Sequence, residues 1–291
     1  MIRIALYLSM MALFTQCAEQ EPKTPASSND TTAAKPGRAP INRPKPAADI
    51  TYRLVPAKAW LKANKADSTS SYQHLISTIN RIDRSNMASL DSILVPSDST
   101  ADIAWYLPFP HHVKGLEEIR KIIFFSYPSQ TFGAYEYGEL VYTGATNMGR
   151  KKDPTPEGLY YTNWKAEETT STFNDEWELK WNFNIENKLG VGWHQYALPG
   201  YPASHSCLRL LEKDARYLYD WADQWKIKGT DEILAKGNPV VVFGSYPFGG
   251  KKPWLELVSN PRALDISEAT LEGLIAAKKS EILAEQSKTG Q

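Results

Sequence analysis

Cys207 lies in the stretch "YPASHSCLRL", residues 201–210, with His205 two positions before it and Arg209 two positions after. A thiol is mostly protonated at neutral pH and its thiolate is the nucleophile, so chemistry at this sulfur needs a base or a positive neighbour. Three side chains near in sequence qualify: His194, His205 and Arg209. In an extended segment alternate side chains share a side, which places His205 and Arg209 with Cys207. His194 lies further upstream, and a turn at Pro199 and Gly200 can bring it back across the same cleft. A developing oxyanion needs backbone N–H donors. The amides of Ser206 and Cys207, at the entry to a following helix, are the natural candidates.

The other cysteine, Cys17, belongs to a different part of the story. Arg3 is followed by the apolar run "IALYLSMMALF", too short to span a bilayer comfortably, and then by "TQC". Residues 1–17 read as an export signal. Cys17 resembles the lipidated cysteine of a bacterial lipobox, with Gln16 where a small residue is usual; the alternative is an ordinary signal peptide cleaved nearby. Either fate leaves Cys207 without an intramolecular partner, so it reads as a reactive group or a small buried hydrophobe. Its serine, histidine and arginine neighbours favour reactivity.

Residues 18–48 are rich in Pro, Ala, Ser, Thr and charge, with Ile41 the lone large aliphatic, and read as a disordered tether. Residues 49–114 read as a mostly helical region: Leu75, Ile76, Ile79 and Ile82 recur at helical spacing, and "MASLDSILVPSD" resembles the end of a LysM-type repeat. A helical cap on the main domain is the preferred reading. His74 is expected on a helix surface, and His111 and His112 in a loop. None of the three has partners at metal-ligand spacing, and no metal or other cofactor is expected. Lys plus Arg and Asp plus Glu are equal at 33 each, so no long-range field draws the chain to nucleic acid.

From Gly115 the pattern turns to strands. Ile122 to Phe125 form an apolar run, two β-prone segments flank Gly138 as in a hairpin, and "GLYYTNW", "WELKWNFNI" and "NPVVVFGS" follow. Leu211, Ala215, Leu218, Ala222 and Trp225 predict one amphipathic helix just past the cysteine. Residues 267–284 predict a C-terminal surface helix with Leu271, Leu274, Ile275 and Ile282 on one face. The fold class expected is α+β, a β-rich catalytic domain over 115–248 with a C-terminal extension over 249–291.

The segment "WHQYALPGYPASHSCLRL" resembles the signature of the L,D-transpeptidase (YkuD-type) family, a histidine followed after a gap by Ser-His-Gly-Cys and an arginine or asparagine. "VYTGATNMGRKKDPTPEGLYYTNW" is similar to that family's strand, "TG" turn and "TPTG" segment. The resemblance runs from about Gly115 to Ser245. It implies an L,D-transpeptidase-like fold and a thioester formed on a peptidoglycan stem tetrapeptide, resolved by an amine, or by water in a carboxypeptidase. By the same resemblance, Cys207 is the nucleophile, His194 the base and the Gln195 carbonyl its orienting acceptor, with Ser204, His205 and Arg209 in support. The chain departs from the pattern at Ser206, where glycine is usual, at Gln195, and in a short gap between His194 and Cys207. It implies peptidoglycan stem peptides as partners and, with the export signal, a periplasm-facing enzyme held at the cell membrane or outer membrane by an N-terminal lipid. The alternative from another class is a non-catalytic, lipid-anchored wall-binding module.

Overall fold

The computed structural model describes residues 38–65, 70–170, 178–230 and 232–289. The export segment, Cys17 and the tether up to residue 37 lie outside the described residues. The strands are β1 (Tyr52–Pro56), β2 (Ser92–Pro96), β3 (Ile122–Ser126), β4 (Thr131–Glu136), β5 (Glu139–Asn147), β6 (Gly158–Tyr161) and β7 (Lys165–Thr170). They continue with β8 (Glu178–Glu186), β9 (Val191–Gln195), β10 (Leu208–Leu210), β11 (Lys226–Lys228), β12 (Glu232–Ala235) and β13 (Pro239–Phe243). The α-helices are α1 (Ala57–Ala63), α2 (Ser71–Asn80), α3 (Glu212–Trp221), α4 (Glu268–Ile275) and α5 (Lys279–Ser287). Nine strands form one mixed sheet in the order β6-β13-β3-β4-β5-β10-β9-β8-β7. The class is α+β.

The apolar run in β3 has no alternation because both its faces are covered. Ile123 and Phe125 join Phe132, Phe183, Trp193 and Leu218 in one core, with α3 on that side. Ile122 and Phe124 point the other way, into a core closed by Leu271, Ile275 and Ile282 of the C-terminal helices. The C-terminal segment is therefore two helices joined by a 3-10 turn, not one, and its apolar face is buried against the sheet, leaving Leu274 the exposed member of the predicted stripe. The β4–β5 turn has positive φ at both Tyr137 (47°) and Gly138 (83°), as a tight two-residue hairpin requires.

Residues 49–114 hold more sheet than their helical spacing suggests. β1 and β2 pair antiparallel along their whole length, yet each is five residues long and ends in proline, too short to show a period. α2 is the expected helix, capped by the Ser70 hydroxyl, which accepts from the Gln73 amide at 3.2 Å. His74 does not sit free on its surface: its Nε2 lies 3.2 Å from Asp214 of α3. Residues 38–48, expected within the tether, lie against the body. The Arg43 side chain is buried, donating to the Leu140 carbonyl and pairing with Asp102 at 3.4 Å.

Candidate active site

β9 and β10 run parallel with Trp193 opposite Leu208, His194 opposite Arg209 and Gln195 opposite Leu210. Side chains alternate across a strand, so Trp193, Leu208 and Leu210 fill the core while His194 and Arg209 share the opposite face. Cys207 immediately precedes β10. It therefore enters a short strand rather than the helix expected there; α3 begins only at Glu212. Trp225 likewise lies beyond the end of that helix.

His194 is buried, and its Nδ1 lies 3.0 Å from the carbonyl oxygen of Gln195. A carbonyl can only accept, so Nδ1 carries the proton and Nε2 presents its lone pair. Burial pushes the imidazole down to about 4, with the Gln195 carbonyl opposing and Arg209 adding to the fall. Near neutral pH the ring is uncharged. Burial also raises the Cys207 thiol, while Arg209 and the Gly192 amide pull it back. The sulfur faces the Gly190 carbonyl at 3.9 Å. Burial thus favours the neutral form of both groups.

Gly192 is the residue that lets the backbone approach this closely. A Cβ there would meet the Phe183 carbonyl oxygen of β8 at 2.5 Å. Arg209 stacks over Tyr196 with 4.4 Å from guanidinium carbon to ring centroid, and the same ring meets His194 edge-on at 5.8 Å. Tyr196 therefore contacts two site residues at once.

The cysteine loop is pinned at each residue. Ser204 is buried; its hydroxyl donates to the Cys207 carbonyl at 2.6 Å and its carbonyl accepts from the Arg150 amide at 2.9 Å. Ser206 adopts φ = 75°, the left-handed region, and its carbonyl accepts from the Thr155 hydroxyl at 2.9 Å. In a trans peptide the C=O and the next N–H point in opposite directions, so the Cys207 amide is turned away from Thr155. His205 points to the 150–153 turn, with Nε2 3.9 Å from Asp153 and the side chain 37% exposed. Arg150 and Asp153 pair with each other at 2.6 Å.

Several supports were not singled out from sequence. Asn147 is buried, accepts from the Ala203 amide at 3.1 Å and donates to the Tyr201 carbonyl. The Thr155 hydroxyl also accepts from the Gly149 amide at 2.9 Å, and the Tyr127 hydroxyl donates to the Gly149 carbonyl. Asp83, from the N-terminal region, bonds both ways to Leu198: its amide donates at 2.9 Å and its carboxylate accepts at 2.7 Å. Ile82 bridges to Pro199 in the same place. The predicted turn is thereby fixed from outside the sheet. Thr155 is within reach of the sequence, since "TPEG" is similar to the "TPTG" segment. The "TG" of Thr143 and Gly144 is not a turn but the middle of β5; a Cβ on Gly144 would meet Asp214 at 2.8 Å.

The YkuD family model, the L,D-transpeptidase catalytic domain, matches residues 120–242, and His194, Cys207 and Arg209 all fall inside the match. Over this stretch the chain is similar to the YkuD family. Solved structures similar to it include an L,D-transpeptidase from Stackebrandtia nassauensis, at 24% identity and TM-score 0.37, covering 44% of this chain and 57% of that one. Others are an L,D-transpeptidase from Mycobacterium smegmatis, at 19% identity, TM-score 0.34 and 43% and 59% coverage, and one from Mycobacterium tuberculosis H37Rv, at 22%, 0.34, 43% and 58%. The chain spans little more than half the length of each. No curated protein matches. Among the described residues no cluster of three or more His, Cys, Asp or Glu could hold a metal ion, and no helix is long and apolar enough to cross a membrane.

Proposed function

We propose that the chain is a peptidoglycan L,D-transpeptidase that works through a Cys207 thioester. The observation that carries this reading is the β9–β10 register, which sets a neutral, carbonyl-fixed His194 beside the strand that Cys207 enters. His194 Nε2 takes the thiol proton as Sγ attacks the stem-peptide carbonyl. The sulfur–carbon bond forms and the amides of Ser206 and Cys207 receive the oxyanion. As that intermediate collapses, the carbon–nitrogen bond to the terminal residue breaks and His194 hands the proton to the leaving amine. An acceptor amine then attacks the thioester, gives its proton to His194, and the sulfur leaves as the thiol. Arg209, held over Tyr196, supports the loop or a substrate carboxylate. With water as acceptor the same steps give an L,D-carboxypeptidase. In this reading the enzyme acts outside the cytoplasm, with a lipid on Cys17 as its proposed anchor.

A non-catalytic wall-binding module is the competing reading, and the buried His194, its Nδ1 held by the Gln195 carbonyl and its face shared with Arg209, speaks against it. Intact-mass measurement after incubation with a carbapenem-type β-lactam tests this. A single adduct is expected on the full chain and none on Cys207→Ala; a wild type that stays unmodified while folded overturns the thiol mechanism. Incubation with defined tetrapeptide muropeptides then separates the outcomes: dimers indicate transpeptidation, shortened stems hydrolysis.

A further inference from the structure

The turn that joins β8 to β9, residues 187–190, is largely exposed, yet polar side chains fix it along its length. Glu186, the last residue of β8, clamps it from within: its carboxylate accepts from the Lys188 amide at 3.1 Å and from the Leu189 amide. The buried Asn184 braces the base of the turn, accepting from the Asn163 side-chain amide at 2.9 Å and donating to the Glu186 carbonyl at 3.2 Å. On the far side the Trp164 indole donates to the Asn187 side chain at 3.2 Å. Leu189 is 52% exposed, so apolar burial is not what holds the turn.

What the turn presents is the surroundings of the sulfur. The pairing of β8 with β9 slips between Asn184 and Glu186, and an irregularity of this kind re-aims the backbone beyond it. Gly190 then leaves the turn at φ = 64°, a conformation natural to glycine. Its carbonyl faces Cys207 Sγ at 3.9 Å, and two residues on, the Gly192 amide is directed at the same atom. The two groups suit opposite states of that sulfur. A carbonyl can only accept, so it matches the S–H of the thiol; an amide can only donate, so it matches the thiolate. Neither is removed by a side-chain substitution, but the clamp that aims them is.

We infer that Glu186 is a positioning residue of the proposed reaction, clamping the 187–190 turn so that the Gly190 carbonyl and the Gly192 amide stay against the Cys207 sulfur. Its part in turnover rests on the transpeptidase reading; its grip on the sulfur is measurable without it. The test is the pH–rate profile of iodoacetamide alkylation of the full chain, read on the Cys207 peptide by mass spectrometry so that Cys17 does not enter. The thiolate attacks the reagent carbon and iodide leaves, so the rate follows the thiolate fraction. Glu186→Ala is expected to move the profile up by about one pH unit and to slow alkylation at pH 7 about tenfold, the worth of one hydrogen bond to a charged atom. Glu186→Gln keeps one acceptor oxygen and should give a smaller displacement in the same direction. Leu189→Ala alters no backbone group and should leave the profile in place. The sign is decisive, because deleting a carboxylate charge by itself would make the thiol more acidic. The other titratable and charged groups of the site, His194 on β9, Arg209 on β10 and Arg150, Asp153 and His205 on the loop side, are the same in every variant. An unchanged melting temperature of Glu186→Gln shows that the fold is kept. A profile that stays in place or moves down in that variant, or one that Leu189→Ala displaces as far as Glu186→Ala does, overturns the proposal. Displaced profiles without a β-lactam adduct on the wild type keep the clamp and lose the transpeptidase reading; a normal adduct with undisplaced profiles does the reverse.

Discussion

Two walls face Cys207, and they are built differently. The β9 wall is regular strand, with His194 locked between the sheet and the Gln195 carbonyl. The opposite wall is irregular chain, residues 149–155 and 201–206, tied together by Thr155, Ser204 and Asn147 and carrying a half-exposed His205. A strand holds a reacting group without strain, because its ladder bonds are satisfied anyway. A loop has to be held by buried side-chain hydrogen bonds, and it reaches backbone directions that a strand cannot.

The largest effect that separates the walls is kinetic. His194→Ala is expected to slow β-lactam acylation by roughly 10³-fold, since a general base contributes about 10²–10⁴. His205→Ala, whose ring points to Asp153, is expected to slow it by less than about tenfold. Single-turnover mass spectrometry gives both rates. The opposite ranking would assign the base to the loop wall.

Acid separates the walls next. The folded state holds His194 at about 4, below the ordinary value of about 6.5, so between those values the unfolded chain binds the extra proton. Stability therefore rises with pH through this window, is fully present above about 6.5, and is lost as pH falls to about 4. The loss attributable to this ring is about 3 kcal/mol, from the 1.4 kcal/mol carried by each unit. Urea unfolding at pH 7 and pH 4.5 should show a smaller drop for His194→Gln than for the wild type. Equal drops would mean that burial does not disfavour the imidazolium. Acylation by the folded enzyme should fall lower, around pH 4, as the base itself becomes protonated.

The candidate site residues are more legible in the sequence than the scaffold that holds them. Cys207 and His194 are visible because their types are rare, and Ser206 and Arg209 because their order around Cys207 resembles a known pattern. The strands that carry them are not: β10 has three residues, and β9 is the mixed stretch "VGWHQ", whose alternation only becomes meaningful once Trp193 is known to face the core. A longer, evenly buried element such as β3 or β13 announces itself. The contribution of Asp83 and Ile82 was hidden for another reason, since a contact between residues this far apart leaves no local mark on either segment. The His74 contact escapes for the same reason: helical spacing says which face of α2 is apolar, but not that Asp214 lies beyond it.

On the loop wall, Thr155→Val removes the hydroxyl while keeping the shape. It costs the hydrogen bonds to the Gly149 amide and the Ser206 carbonyl, in a residue 2% exposed. About 1 kcal/mol for each bond predicts a loss near 2 kcal/mol. Acylation should fall about tenfold as the Cys207 amide loses its fixed direction. Full activity with lowered stability would show that the loop wall supports the fold alone.

The smallest effect is at Ser206, where the chain carries serine in a conformation that suits glycine. Its φ of 75° costs a side-chain-bearing residue about 1 kcal/mol or more relative to glycine. Against this, the serine hydroxyl donates to the His205 carbonyl, a half-buried bond that water can partly replace. Ser206→Gly should therefore stabilise the protein by about 0.5 kcal/mol, the backbone gain of about 1 less part of one hydrogen bond. Acylation should change by less than about threefold, since the amide stays where the Thr155 bond to the Ser206 carbonyl puts it. Destabilisation in urea, with a matching loss of rate, would mean that the hydroxyl itself holds the loop and that serine here is a support rather than a tolerated strain.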